Sequence, residues 1–231
     1  MILCTICARG GSKGVPNKNI KLINGKPLIY YTINQALKSK MFDNIVVSTE
    51  SKIVANEVKK MGIDVWFLRP TKFANDNSSK IPVIRHALLE SEKHFNKNFN
   101  VIVDLDVTSP LRKIEDIKKA IEQFKNSKAN ILISGSKSKK NPYFNMVELV
   151  NNNPQIIKKI NNQPHRRQDA PTTYDMNASI YIWKKETILS SDKLFGSKTS
   201  LYIMPEERSI DIDTFLDFEI VEHLLKKKHD E

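Results

Sequence analysis

A chain of 231 residues, 40% hydrophobic and 27% charged, carries enough apolar surface for one large core and is not disordered in composition. Its 37 Lys+Arg against 26 Asp+Glu give a net charge of +11. The basic pairs are scattered (Lys59-Lys60, Lys118-Lys119, Lys226-Lys227-Lys228), without zinc-finger spacing or interleaved aromatics, which favours a solvated basic surface over nucleic-acid binding. No apolar run approaches the ~20 residues of a membrane helix, and two cysteines without a secretion signal point to a cytoplasmic protein with no membrane partner. In chain order, Ile2–Ala8 reads as an apolar strand, followed by a Gly/Lys/Asn loop to about Asn19. Leu28–Lys40 reads as a helix, Ile45–Ser48 as a strand, and Lys52–Met61 as a helix closed by Gly62. Asp64–Leu68 is expected as a third strand, Ile81–His94 as a helix, and Val101–Leu105 as a central strand covered on both faces. Ile114–Phe124 follows as a helix and Ile131–Ser134 as a strand. The rhythm then breaks from Gly135 to about Met176, in a polar stretch rich in Asn and Pro. It resumes with a strand at Ala178–Trp183 and a helix at Phe215–Lys228. Alternating β and α elements predict an α/β fold: a mostly parallel, Rossmann-like sheet with helices on both faces, forming one domain over 1–231 with an insertion. Ligands in such folds bind at the carboxyl ends of the strands.

The loop after the first strand runs Arg9-Gly10-Gly11-Ser12-Lys13-Gly14-Val15-Pro16-Asn17-Lys18-Asn19. Its glycines let backbone N–H groups approach an anion, and Arg9, Lys13 and Lys18 add positive charge, so the loop is a candidate phosphate site. It has neither P-loop nor dinucleotide-fold spacing. A second candidate is Ser209-Ile210-Asp211-Ile212-Asp213-Thr214, where extended backbone would turn Asp211 and Asp213 to one face. Two carboxylates near a phosphate site suit Mg²⁺. Thr214 and Asp217 read instead as a helix capping box. Asp104 and Asp106, also two apart, are a rival acid pair, for metal or for acceptor substrate. Cys4 and Cys7 fall on opposite faces of a strand and read as core packing, not as a metal half-site.

The segments CARGGSKGVPNKNI, LRPTKFANDNSS, DLDVTSPLR, RRQDAP, YDMNASIYI and SIDIDTFLDFE, in this order from residue 2 to about 225, resemble the acylneuraminate cytidylyltransferases, the CMP-sialic acid synthetase family. The branch that activates legionaminic acid and related nonulosonic acids is the most similar in its opening, its Asp-Leu-Asp and its NPYFNMVE stretch. The resemblance implies a glycosyltransferase-A-like nucleotidyltransferase fold and a homodimer that transfers CMP from CTP to the anomeric hydroxyl of a nine-carbon keto-acid sugar, releasing pyrophosphate with Mg²⁺. It assigns Arg9, Gly11, Ser12, Lys13, Lys18 and Asn19 to the nucleotide and triphosphate, with Arg69, Asn75 and Ser79 at the cytidine. Arg9, Lys18 and Asp211 would serve catalysis, and Asp211 with Asp213 would hold Mg²⁺. Arg167, Gln168, Asn177 and Tyr181 would face the sugar, and residues 138–176 would form a dimerisation arm that brings Arg167 to the partner's site. The family reads Gln-Pro or Gln-Ala before Thr-Ser-Pro, whereas Asp106-Val107 stand here; an acid at that place alters which sugar substituents can be hydrogen-bonded and favours legionaminate over N-acetylneuraminate. Within the class, synthetases for N-acetylneuraminate, pseudaminate or 3-deoxy-manno-octulosonate are the alternatives. A basic nucleic-acid-binding protein and an idle nucleotide-binding regulator are the alternatives from other classes.

Overall fold

A computed structural model describes residues 1–11, 14–74, 79–196 and 198–227. Among the described residues, ten strands and six α-helices follow one another. The strands are β1 (Ile2–Cys7), β2 (Leu22–Ile23), β3 (Lys26–Pro27), β4 (Asn44–Ser48), β5 (Val101–Leu105), β6 (Ile131–Lys137), β7 (Val147–Val150), β8 (Asn153–Ile156), β9 (Tyr174–Lys184) and β10 (Thr199–Ile203). The helices are α1 (Leu28–Ser39), α2 (Lys52–Lys59), α3 (Lys80–Phe95), α4 (Ile114–Asn126), α5 (Lys185–Ser190) and α6 (Phe215–Lys227). Six strands make one sheet in the order β10-β6-β9-β5-β1-β4. β4, β1 and β5 run parallel, as do β10 and β6, and β9 runs antiparallel between β5 and β6.

The sheet is covered on both faces. Cys4 and Ile6 of β1 join α1, α2, α4 and α6 in one core, built around Ile29, Val58, Ile121 and Val221. Leu3, one residue out of phase, packs with α3 and α5 in the other, against Ile84, Leu88 and Ile188. Cys4 therefore lies in the first core and Cys7 against the second, as the period of two requires. Among the described residues no helix is long and apolar enough to cross a membrane.

Two expectations need correction. Residues 64–68 form no strand: they are held by side-chain packing, with Trp66 stacked on His94 at 4.2 Å and edge-on to Phe95 at 4.9 Å. The apolar pattern there records burial against α3, not ladder pairing. The strand expected at 178–183 begins earlier, at Tyr174, and bends at a register shift between Ile133 and Gly135 where Ala178 adopts a positive φ of 51°. A Cβ on Gly135 would come within 2.6 Å of the Asp175 carbonyl oxygen, so this bend needs glycine opposite it. The polar interruption also carries structure of its own, the β7–β8 hairpin.

Arg112 locks the turn that follows β5. It is 2% exposed and donates to the Ser179 carbonyl at 2.6 Å, the Ser179 hydroxyl at 3.1 Å and the Thr32 hydroxyl at 3.2 Å. Burial lowers its pKa to about 10. Arg112→Met would leave these acceptors unsatisfied, and we expect a loss of about 2–4 kcal/mol of unfolding free energy. Urea denaturation checks this; an unchanged midpoint would show that the turn holds without the guanidinium.

Candidate active site

The carboxyl ends of β5, β1 and β4 lie side by side, because these neighbours are parallel and in register (Thr5 opposite Asp104, Cys7 opposite Ser48). The loops leaving them build a cleft. The loop after β1 is braced at both ends. The Gly10 N–H donates to Glu50 Oε1 at 2.6 Å, and Glu50 Oε2 pairs with the buried Arg69 guanidinium at 2.6 Å. Burial opposes the Glu50 charge, but Arg69 and the Gly10 N–H hold its carboxyl below the usual range. Asn19 Nδ2 donates to the Arg9 carbonyl at 2.8 Å, so its amide shapes the loop. Lys18 is buried and donates to the Ile212 carbonyl, with Asp213 Oδ1 3.3 Å away.

The acid segment 209–213 meets this loop backbone to backbone. It forms no strand, but Ile212 is fully buried between a half-buried Asp211 and an exposed Asp213. Four contacts fix the segment. The Ile212 N–H donates to the Thr108 carbonyl at 3.0 Å, and the Ser209 hydroxyl accepts from Asn177 Nδ2 at 3.0 Å. Arg208 grips Asp116 through Nε and Nη2, both at 2.9 Å. Thr214 and Asp217 exchange hydrogen bonds, with Thr214 N–H to Asp217 Oδ2 at 2.7 Å and Asp217 N–H to Thr214 Oγ1 at 3.2 Å, the capping box read from sequence.

Burial and the neighbouring Asp106 charge push the Asp211 carboxyl up to about 6, against the Thr108 hydroxyl bond and Lys18. Its Oδ1 is buried with no protein partner. Asp106 is opposite in character. Burial disfavours its charge, yet the Lys80 ammonium and the Thr108 N–H and hydroxyl hold it down at about 2. Lys80 also pairs with Asp104 and lies 4.7 Å over the Tyr181 ring.

The contacts above link Arg9, Lys18, Asn19, Arg69, Asp106, Tyr181, Asp211 and Asp213 at the ends of these strands and on their loops, and Gly11 follows Gly10 in the first of those loops. Ser12, Lys13 and Asn75 lie outside the described residues, as does Lys228. Ser79 is exposed at the start of α3, where its side chain makes no capping bond. Asn177 does not present its amide to a ligand. It is 4% exposed and spends Oδ1 on Ser134 and on the Ser179 N–H, and Nδ2 on Ser209 and Met204. Through Ser209 its amide braces the acid segment. Arg167 and Gln168 are exposed on the inserted stretch, and the Arg167 guanidinium donates to the Ser138 carbonyl at 2.8 Å. Sequence reasoning missed Glu50, Lys80 and Thr108. Glu50 and Thr108 stand just beyond the carboxyl ends of β4 and β5, a positional signal that could have flagged them.

The model of the Cytidylyltransferase family matches residues 3–229. The chain belongs to the cytidylyltransferase family. It is a nucleotidyltransferase. A CMP-N,N'-diacetyllegionaminic acid synthase of Campylobacter jejuni is 49% identical over 228 residues, spanning 99% of this chain and 96% of its own. The post-translational flagellin modification protein B of Campylobacter coli is 47% identical over 228 residues, with the same shares. Among solved structures, a CMP:2-keto-3-deoxy-manno-octonic acid synthetase complexed with CTP superimposes with a TM-score of 0.71 at 16% identity, over 98% of this chain and 99% of that one. At that identity the likeness establishes a shared fold.

Proposed function

We propose that this cytidylyltransferase transfers CMP from CTP to the anomeric hydroxyl of a nonulosonic acid, with legionaminic acid as the preferred acceptor. The observation that carries the reading is near-half identity, across almost the full length of both chains, to a synthase that makes CMP-N,N'-diacetyllegionaminic acid. The cleft supports it with a glycine-rich cationic loop facing a buried carboxylate. The sugar hydroxyl oxygen bonds to the α-phosphorus as the bond from that phosphorus to the pyrophosphate oxygen breaks, and the hydroxyl proton passes to solvent water. Arg9 and Lys18 supply fixed positive charge along the triphosphate, and the preorganised loop contributes by positioning. Tyr181 and Asp106 stand at the acceptor end, Asp106 as an ionised acceptor of hydrogen bonds.

The donor set fits Mg²⁺. Among the described residues no group of three or more His, Cys, Asp or Glu stands together, but Mg²⁺ on a nucleotide needs only one or two carboxylates plus phosphate oxygens. The unpartnered, buried Oδ1 of Asp211 is the oxygen that lacks a cation, and Asp213 flanks it. Bound Mg²⁺ would offset the charge of the triphosphate and of the departing pyrophosphate. In the same reading the protein is a cytoplasmic homodimer and residues 138–176 are its arm. Val147, Leu149 and Val150 of the hairpin are exposed apolar residues that a second copy would cover, and Arg167 would reach that copy's acceptor site.

Pyrophosphate release with CTP, Mg²⁺ and each of legionaminate, N-acetylneuraminate and pseudaminate tests the proposal. We expect legionaminate to be turned over with at least ~10-fold higher kcat/KM than the others. Preference for N-acetylneuraminate would keep the reaction and discard the acceptor assignment, and no release with any sugar would overturn the reading. Sedimentation velocity tests the dimer: a monomer at micromolar concentration would sink it.

A further inference from the structure

Two carboxylates, Asp104 and Asp106, converge at the end of β5. Asp104 is fully buried, and its Oδ1 accepts from the Thr5 hydroxyl at 2.7 Å. Asp106 Oδ1 accepts from the Thr108 N–H at 3.1 Å and its hydroxyl at 2.9 Å. The remaining oxygen of each points at one atom, Lys80 Nζ, at 2.8 Å from Asp104 Oδ2 and 2.6 Å from Asp106 Oδ2. Lys80 donates a hydrogen bond to Asp106 Oδ2 and meets Asp104 Oδ2 as a charge contact without hydrogen-bond geometry, so each of the four oxygens has a donor or a cation beside it. Two carboxylates that crowd one point, one of them fully buried, repel each other unless a positive charge stands between them. Lys80 is well placed to be that charge. It is the first residue of α3, whose Ile81, Ile84 and Leu88 are locked into the core, and its ammonium rests 4.7 Å over Tyr181, itself stacked on Trp183 at 5.6 Å. At Asp211 the balance is reversed, with a buried oxygen that no donor reaches.

We infer that Lys80 is a positioning residue whose ammonium takes the place of a divalent cation between Asp104 and Asp106, so that metal binding is confined to the Asp211 side of the cleft. This deepens the metal-assisted reading above and rests on it. It also separates the two acid pairs that spacing alone leaves equivalent: Lys80 stands between both members of one, whereas Lys18 reaches Asp213 of the other and leaves Asp211 Oδ1 without a donor. A Lys80→Met substitution leaves two carboxylates facing each other across a vacated cation position, which is a metal site in all but the metal.

The test is Mn²⁺ titration of the full chain without nucleotide, followed by the electron paramagnetic resonance of free Mn²⁺. Lys80→Met is expected to gain about one Mn²⁺ per chain at a concentration at least ~10-fold below that at which the wild type binds any. Lys80→Arg, which keeps the charge, should behave as wild type, and Lys80→Met combined with Asp106→Asn should lose the gained site. Superimposable titrations of wild type and Lys80→Met would overturn the inference. Where Lys80→Met does not fold, Lys80→Gln is titrated instead and read by the same criterion. The readout needs no turnover, so a wild type that proves inactive with every sugar would sink the proposed reaction while this titration still decides the role of Lys80.

Discussion

Asp211→Asn is expected to lower kcat by at least ~1,000-fold while making the unliganded protein more stable at neutral pH. Both effects come from the same buried oxygen. Asp211 is desolvated, lies near the Asp106 charge, and leaves Oδ1 without a donor, which raises its pKa to about 6 from an ordinary 3.8. A carboxyl whose folded pKa is raised binds its proton more tightly in the native state than in the unfolded one. It therefore costs nothing below pH ~4, and its penalty grows through the window up to about 6 and is fully present above it. A shift of this size corresponds to about 3 kcal/mol, which the asparagine variant does not carry. Thermal melts should place Asp211→Asn above wild type at pH 7 and level with it at pH 4. A variant that melts below wild type at pH 7, or that retains turnover, would show that Asp211 is a structural acid and that metal and triphosphate are handled elsewhere.

The sheet and its helices were legible because their patterns are local: β5 is apolar except for Asp104, and α1 and α3 repeat their buried residues at helical spacing. What the sequence hid is decided by distant partners. Residues 64–68 run apolar after Asp64 like a short strand, but whether they pair or merely pack depends on Trp66 finding His94 and Phe95 some thirty residues later. The β2–β3 hairpin was available in the Asn24-Gly25 pair, whose positive φ angles of 48° and 71° suit a tight two-residue turn, and it passed unread inside a loop. The site divides the same way. The glycine-rich loop and the acid segment announce themselves by composition, whereas Asn177 carries the residue type of a ligand contact and is turned inward by the bend at Ala178. Lys80 gives no signal at all in sequence, because one lysine among 37 Lys+Arg is only singled out by the two carboxylates that fold against it.

Gly14→Ala should abolish more activity than any other change of one methyl group in this chain. A Cβ at residue 14 would sit 2.0 Å from the Asp213 carbonyl oxygen, far inside contact distance, and the obstacle is backbone. The acid segment cannot step aside cheaply. It is pinned by Ile212 N–H on Thr108, by Lys18 on the Ile212 carbonyl and by Arg208 on Asp116, so either those bonds break or the loop after β1 lifts away. Each response separates the cationic loop from Asp211, the two halves that must hold one triphosphate between them. Misplacement on the scale of 1 Å is enough to cost ~100-fold in rate, so we expect kcat/KM for CTP to fall by at least that factor, with a lowered melting temperature. Gly11→Ala supplies the contrast within the same loop, since nothing lies within 4 Å of its built Cβ and its backbone is not left-handed; its melting temperature should match wild type. Equal melting temperatures and equal CTP kinetics for wild type and Gly14→Ala would mean that the two segments do not touch in the working enzyme, and the cleft would have to be drawn again without that contact.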